Sequence, residues 1–209
     1  MTILHSTQTQ INQKLTRFNM DTRIYRALPD SISLSGRTVR GTAAVFNSWS
    51  EPIDNFIEII NPSALDWKTV KKSDIIANMD HRADYIMARS RHNNKGNLKL
   101  ELTQEGLNFE FEAPETVKGD ELLSHIKRGE YDACSFCFSI APNGDRWYNE
   151  GGQIKREILK IAAIHDVAVV AYPAYSATRV EARSKEMSEL FTNLNLMENE
   201  INNIYDKTK

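Results

Sequence analysis

NLKLELTQEGLNFEFEA, residues 97–113, alternates apolar and polar side chains on both sides of a short Gln104, Glu105, Gly106 connection. In an extended strand successive side chains point to opposite faces, so this pattern predicts a β-hairpin. Leu98, Leu100 and Leu102 then share one face with Leu107, Phe109 and Phe111. Moving outward, strand-like runs recur as TRIYRAL, TVRGTAAVF, IEII, DIIANM, DACSFCFSI, KREILKIAAI and DVAVVAY, separated by Gly, Pro and Asn. Two helical segments interrupt them. SALDWKTVKK follows Asn61 and Pro62, and ETVKGDELLSHIKRG carries Leu122, Leu123 and Ile126 at helical spacing. Strands and helices in this mixed order predict an α+β body rather than alternating βαβ units.

The body is expected to run from residue 21 to 183, within the size of one domain that buries its own core. Residues 1–20 are rich in Thr, Gln and Asn and offer little apolar surface against the entropy of ordering, so they read as a flexible arm. From Ser184 to Lys209, Met187, Leu190, Leu194, Met197, Ile201 and Ile204 recur at steps of three and four. That seam fits either a coiled coil, through which copies of the chain would associate, or an amphipathic C-terminal helix packed on its own domain.

Bulk properties exclude several function classes. The 26 basic and 28 acidic residues leave a net charge of -2, so no excess positive field gathers nucleic acid. Cys134 and Cys137 are the only cysteines, and without a second pair or a nearby histidine they cannot supply four zinc ligands. No metal, cofactor or disulfide framework is expected. No run of about 18 apolar residues appears and the first residues lack a signal-peptide core, so the expectation is a soluble protein of a reducing cytoplasm without a membrane partner.

Hydrolytic chemistry needs a nucleophile, a base and a group that orients the base, and the five histidines are the natural inventory. His5 lies in the arm, His92 in the polar turn RHNNKGN and His125 in a helix. His81 differs, because it follows the apolar run DIIANM at a strand end, where a scaffold strand presents a side chain at a loop. A solvated or packed structural histidine remains open there. His165 and Asp166 both interrupt an otherwise apolar strand. A buried carboxylate needs a partner, so Asp166 is either part of a site or an edge residue facing water. Ser135 sits in DACSFCFSI, where position alone proves nothing. A redox Cys-x-x-C opens a helix, whereas these two cysteines lie in a strand and point to opposite faces as small core residues.

Read together, seven ordered blocks resemble the prohead proteases of tailed phages, a family that trims capsid and scaffold proteins during procapsid maturation. They are RGTAAVFNSWS, FIEIINPSALD, NMDHRADYIMARS, GNLKLELTQEGLNFEFEAPET, IKRGEYDACSFCFSI, Trp147 and AAIHDVAVVAYPAYSATRVEAR, covering about residues 40–183. Ser63 stands where that family has glycine, Ala88 precedes Arg89 in place of glycine, and Cys134 and Cys137 replace methionine and glycine around the serine. The resemblance implies Ser135 as nucleophile, His81 as general base and Asp166, where the family usually has glutamate, as third member. It also implies a fold similar to the herpesvirus assembly proteases, a β-barrel-like, mostly antiparallel core wrapped by helices. A second histidine fills the third role in those relatives, which makes His165 the reserve, and Arg89 is the candidate for oxyanion support.

The function implied by this resemblance is that of a serine endopeptidase acting on the phage major capsid protein, its scaffold and itself, inside the assembling procapsid in the host bacterial cytoplasm. Two other readings stay open. One is a non-catalytic scaffolding or capsid-assembly module in which His81, Ser135 and Asp166 do not converge. The other is a bacterial assembly or encapsulation protease carried on a prophage, with the same chemistry.

Overall fold

The hairpin forms with the register its alternation dictates: Leu98 faces Phe111, Leu100 faces Phe109 and Leu102 faces Leu107. A computed structural model describes residues 24–171 apart from 29–30, 51, 54 and 94. The expected arm and C-terminal heptad helix lie outside the described residues.

The strands are β1 (Ile24–Leu28), β2 (Ile32–Ser35), β3 (Thr38–Val45), β4 (Phe56–Ile60), β5 (Ile75–Met79), β6 (Ile86–Arg91) and β7 (Lys95–Gly96). They continue as β8 (Leu98–Leu102), β9 (Gly106–Glu112), β10 (Ala133–Ile140), β11 (Asp145–Glu150), β12 (Gln153–Ile158) and β13 (Ile161–Val170). Two α-helices are described, α1 (Trp67–Lys72) and α2 (Val117–Lys127), with a 3-10 turn at Pro62–Ala64. The segment SALDWKTVKK is therefore not one helix. Asp66 caps α1 by accepting from the Thr69 amide at 2.6 Å, and Asn61 caps the 3-10 turn before it. Thr116 does the same for α2 through the Gly119 amide.

Three sheets result, with strand orders β1-β10-β13-β5-β6-β7, β2-β3-β9-β8 and β11-β12-β4. The ladders β4/β12 and β5/β13 are parallel and the other described ladders antiparallel. The mostly antiparallel α+β expectation holds, but the barrel does not: the described sheets stay open. At one corner β7 passes into β8 across Asn97 and changes sheet. Gly96 has φ 139° there, and a Cβ on it would lie 2.0 Å from the Arg89 carbonyl oxygen. At the other, no ladder is described, and individual bonds among the described residues join the sheets, among them Ser31 N–H to the Asp132 carbonyl at 3.2 Å and Cys134 N–H to Ser31 Oγ at 2.9 Å. The run KREILKIAAI also divides, because Leu159 and Lys160 carry the chain from the small sheet to the large one.

The main core lies between the large sheet and the four-stranded sheet. Cys134 and Phe136 of β10, Val167 and Val169 of β13, and Ile75, Ala77 and Met79 of β5 face Val39, Leu98, Leu107, Phe109 and Phe111, joined by Leu122 and Leu123 of α2. The two sheets approach closely at Gly41, where an added Cβ would come within 2.4 Å of Cys134 Sγ.

Candidate functional site

Ser135 lies on the opposite face of the large sheet. Alternation along β10 puts Cys134 and Phe136 into the main core, so Ala133, Ser135 and Cys137 face the other way. On the neighbouring strand Ala168 pairs with Ser135 and Asp166 with Cys137, and on β5 Asn78 pairs with Ala168 and Ile76 with Asp166. Partners in register share a face, which brings Ser135, Asp166 and Asn78 to one surface.

Asp166 reaches that surface because of a bulge. Phe138 pairs with Ile164 and Cys137 with Asp166, leaving His165 as the extra residue on β13. Regular alternation after the core residue Ile164 would put His165 on the Ser135 face and bury Asp166 in the main core. The additional residue shifts the phase by one and reverses that choice.

His81 arrives from a tight turn. The apolar strand β5 ends at Met79, and the Arg82 amide closes a turn onto the Met79 carbonyl at 3.0 Å, with Asp80 and His81 in its middle. Both have positive φ, 52° and 57°, the pattern of a type I′ turn, and this conformation costs a non-glycine residue about 1–3 kcal/mol. Neighbouring contacts hold it. The Asp80 amide donates to the Val169 carbonyl at 3.0 Å, and the Tyr85 amide to the Arg82 carbonyl at 3.0 Å.

The imidazole bridges the other two groups. His81 Nε2 lies 2.7 Å from Ser135 Oγ, and Nδ1 lies 2.5 Å from Asp166 Oδ1. Ser135 and Asp166 are buried at 3% and 4% exposure, so the bonds are largely shielded from water. An ionised carboxylate only accepts hydrogen bonds, so Nδ1 carries the proton and donates to Asp166. Nε2 is left with a lone pair that accepts the Ser135 hydroxyl proton. The arrangement can raise the nucleophilicity of the serine oxygen while the carboxylate stabilises a developing imidazolium.

The other candidates fall elsewhere. Arg89 sits on the same face, in register with Ile76, but its guanidinium grips Asp74 through Nε at 2.7 Å and Nη2 at 2.6 Å. That contact holds the Asp74 carboxyl below its usual range. His165 occupies the bulge beside Asp166 and is partly exposed. His125 accompanies Glu130 at 2.6 Å on α2, and His92 lies in the turn after β6. Both cysteines are free and buried, and burial pushes the Cys134 thiol up to about 11.

Two residues of the site escaped sequence reasoning. Asp80 precedes His81, and the available signal was an aspartate at a strand end, a residue type that tolerates left-handed backbone. Asn78 is 1% exposed, and neither its amide nitrogen nor its amide oxygen has a hydrogen-bond partner among the described residues.

Serine, imidazole and carboxylate in hydrogen-bonded sequence are the arrangement that unrelated folds share when they build a serine hydrolase. The model of the caudovirus prohead serine protease family matches residues 26–192, and the chain belongs to that family. No curated protein and no solved structure matches it. Among the described residues no cluster of three or more His, Cys, Asp or Glu is arranged to hold a metal ion, and no helix is long and apolar enough to cross a membrane.

Proposed function

We propose that the chain is a serine endopeptidase that cleaves the phage's capsid and scaffold proteins, and itself, during procapsid maturation in the host cell. The observation that carries this reading is the bridge made by His81, 2.7 Å from Ser135 and 2.5 Å from Asp166. Three side chains from sequence positions 81, 135 and 166 meet in the order that proton transfer requires.

In the proposed reaction, Ser135 Oγ attacks a peptide carbonyl while its proton passes to His81 Nε2. The tetrahedral intermediate collapses as His81 returns that proton to the departing amine, leaving an acyl-serine. Water then attacks the acyl carbon with His81 again as base, and the free serine is restored. Asp166 keeps the imidazole in the tautomer with its lone pair on Nε2. Backbone amides near Ser135 supply the oxyanion donors, an interaction worth about 10²–10³ in rate per donor in other hydrolases. Arg89 assists only if its guanidinium leaves Asp74.

The domain division is part of the same reading: a protease body over residues 21–183, an expendable arm before it, and a heptad tail over 184–209 that tethers the enzyme to scaffold helices or to another copy. Coexpression with the neighbouring capsid protein tests the function. Cleaved capsid or scaffold, with new N-termini readable by sequencing, is expected with the natural chain and absent with Ser135→Ala. Unchanged cleavage in that variant rejects the nucleophile.

A further inference from the structure

The three groups of the triad come from three separate segments: the turn after β5, the start of β10 and the far half of β13. Something must hold those segments in register, because a displacement of about 1 Å at a reacting group can cost about 10²-fold in rate. Asp80 lies in the first, and its side chain bonds to residues flanking the other two. It immediately precedes His81. Its Oδ2 accepts from the Tyr131 hydroxyl, four residues before Ser135, and its Oδ1 accepts from the Ala171 amide at 3.4 Å, five residues after Asp166. Its own amide donates to the Val169 carbonyl at 3.0 Å, a bond into β13 itself.

Tyr131 fits the partner role. Its ring packs against His125 of α2 with centroids 4.9 Å apart, so the hydroxyl is aimed by a helix rather than left to swing in solvent. Burial and the neighbouring carboxylate of Asp80 both push the phenol well above its usual range, which keeps it a donor. The carboxylate also sits on a costly stretch of backbone, at the first of two consecutive positive-φ residues, 52° and then 57° at His81.

We infer that Asp80 is a positioning residue for the hydrolysis proposed above, its carboxylate tying the His81 turn to Tyr131 and Ala171 so that the imidazole stays aligned between Ser135 and Asp166. Asp80 touches no reacting atom. It acts by holding the turn that presents His81. This role rests on the serine-protease reading, and its test must be able to fail separately from it.

The experiment uses the full chain and a fluorophosphonate probe, which labels a serine only as fast as its base activates it. Labelling rates are measured per folded molecule, with thermal midpoints alongside, for Asp80→Ala, Asp80→Asn, Tyr131→Phe and Ser135→Ala. Asp80→Ala is expected to slow labelling by about tenfold or more, through displacement of the base. Tyr131→Phe, which leaves the turn backbone untouched, should slow it severalfold. Asp80→Asn should recover most of the rate, because asparagine tolerates left-handed φ and keeps an oxygen for the Ala171 amide. The double variant Asp80→Ala/Tyr131→Phe should be no slower than Asp80→Ala alone, since both remove one network. If Asp80→Ala fails to fold, Tyr131→Phe carries the test. Loss of labelling in Ser135→Ala with unchanged labelling in folded Tyr131→Phe and Asp80→Ala overturns the clamp alone. Labelling that survives Ser135→Ala overturns the nucleophile assignment and the clamp with it.

Discussion

His165 is the extra residue that turns Asp166 toward Ser135. The two side chains are adjacent in sequence, yet the β-bulge between the pairs Phe138–Ile164 and Cys137–Asp166 gives the site face to the carboxylate. Bulges near functional sites commonly re-aim a side chain in this way. Here the insertion also decides which neighbour can meet His81 Nδ1.

Replacing the two neighbours should separate them sharply. Asp166→Asn leaves the shape but removes the charge that fixes the tautomer, and the rate should fall by about 10⁴, as in other triads. His165→Ala should stay within severalfold of the natural rate. Deleting His165 removes the bulge but makes Asp166 the residue directly after the core residue Ile164, so alternation keeps the carboxylate on the Ser135 face and activity should fall far less than in Asp166→Asn. Peptide cleavage followed by mass spectrometry reads the rates; near-normal turnover in Asp166→Asn moves the orienting role away from the carboxylate.

Cys134 should make stability depend on pH in alkali. Its thiol rises from 9.0 to about 11 on burial, so the folded state holds a proton that the unfolded chain releases first. The stabilising contribution is complete below pH 9 and is lost as pH climbs toward 11, a change of roughly 2–3 kcal/mol. Urea midpoints at pH 8 and 10.5 should diverge more in the natural protein than in Cys134→Ala. Equal divergence means the thiol is not shielded in solution.

Much of this architecture is written in local pattern. The alternation of residues 97–113 specifies the hairpin and its facing pairs, and the apolar run before His81 marks the strand that presents it. Exposed strands leave a weaker trace. β11, with Asp145, Arg146, Asn149 and Glu150, pairs on one side only and carries too few apolar residues for its alternation to show. The bulge is invisible because sequence shows His165 and Asp166 as equivalent intruders; their phase depends on pairing with β10. The same applies to Asp80, whose partners Tyr131 and Ala171 are 51 and 91 residues away. The open sheets differ from the expected barrel for a related reason: the corner at Gly96 and Asn97 is a matter of backbone direction, which alternation does not encode.

Gly41 should tolerate no side chain. A methyl there would lie 2.4 Å from Cys134 Sγ and 2.7 Å from Phe109 Cζ, far inside van der Waals contact. Gly41→Ala should destabilise by about 1–3 kcal/mol through overpacking, and because Cys134 precedes Ser135 the strain should reach the nucleophile as well. Combining it with Cys134→Ala removes the nearer atom and should recover part of the loss. Strictly additive midpoints in that pair would mean the two sheets approach less closely than this.

Asn78 presents the opposite case, a residue whose removal should stabilise. Its amide is buried on the Ser135 face, one strand beyond Ala168, with no hydrogen-bond partner for either polar atom among the described residues. An unsatisfied buried polar group costs about 1–3 kcal/mol, and leucine has nearly the same shape without the polar atoms. Asn78→Leu is therefore expected to raise the free energy of unfolding by about that amount, measured by chemical denaturation. The same variant separates two reasons for the asparagine. If a bound peptide supplies the missing partner, the Michaelis constant should rise while the stabilised enzyme keeps its fluorophosphonate labelling rate, because that probe carries no peptide backbone. A variant more stable and equally active on peptide assigns no binding role to the amide, and one that is less stable shows that the polar atoms are satisfied in solution.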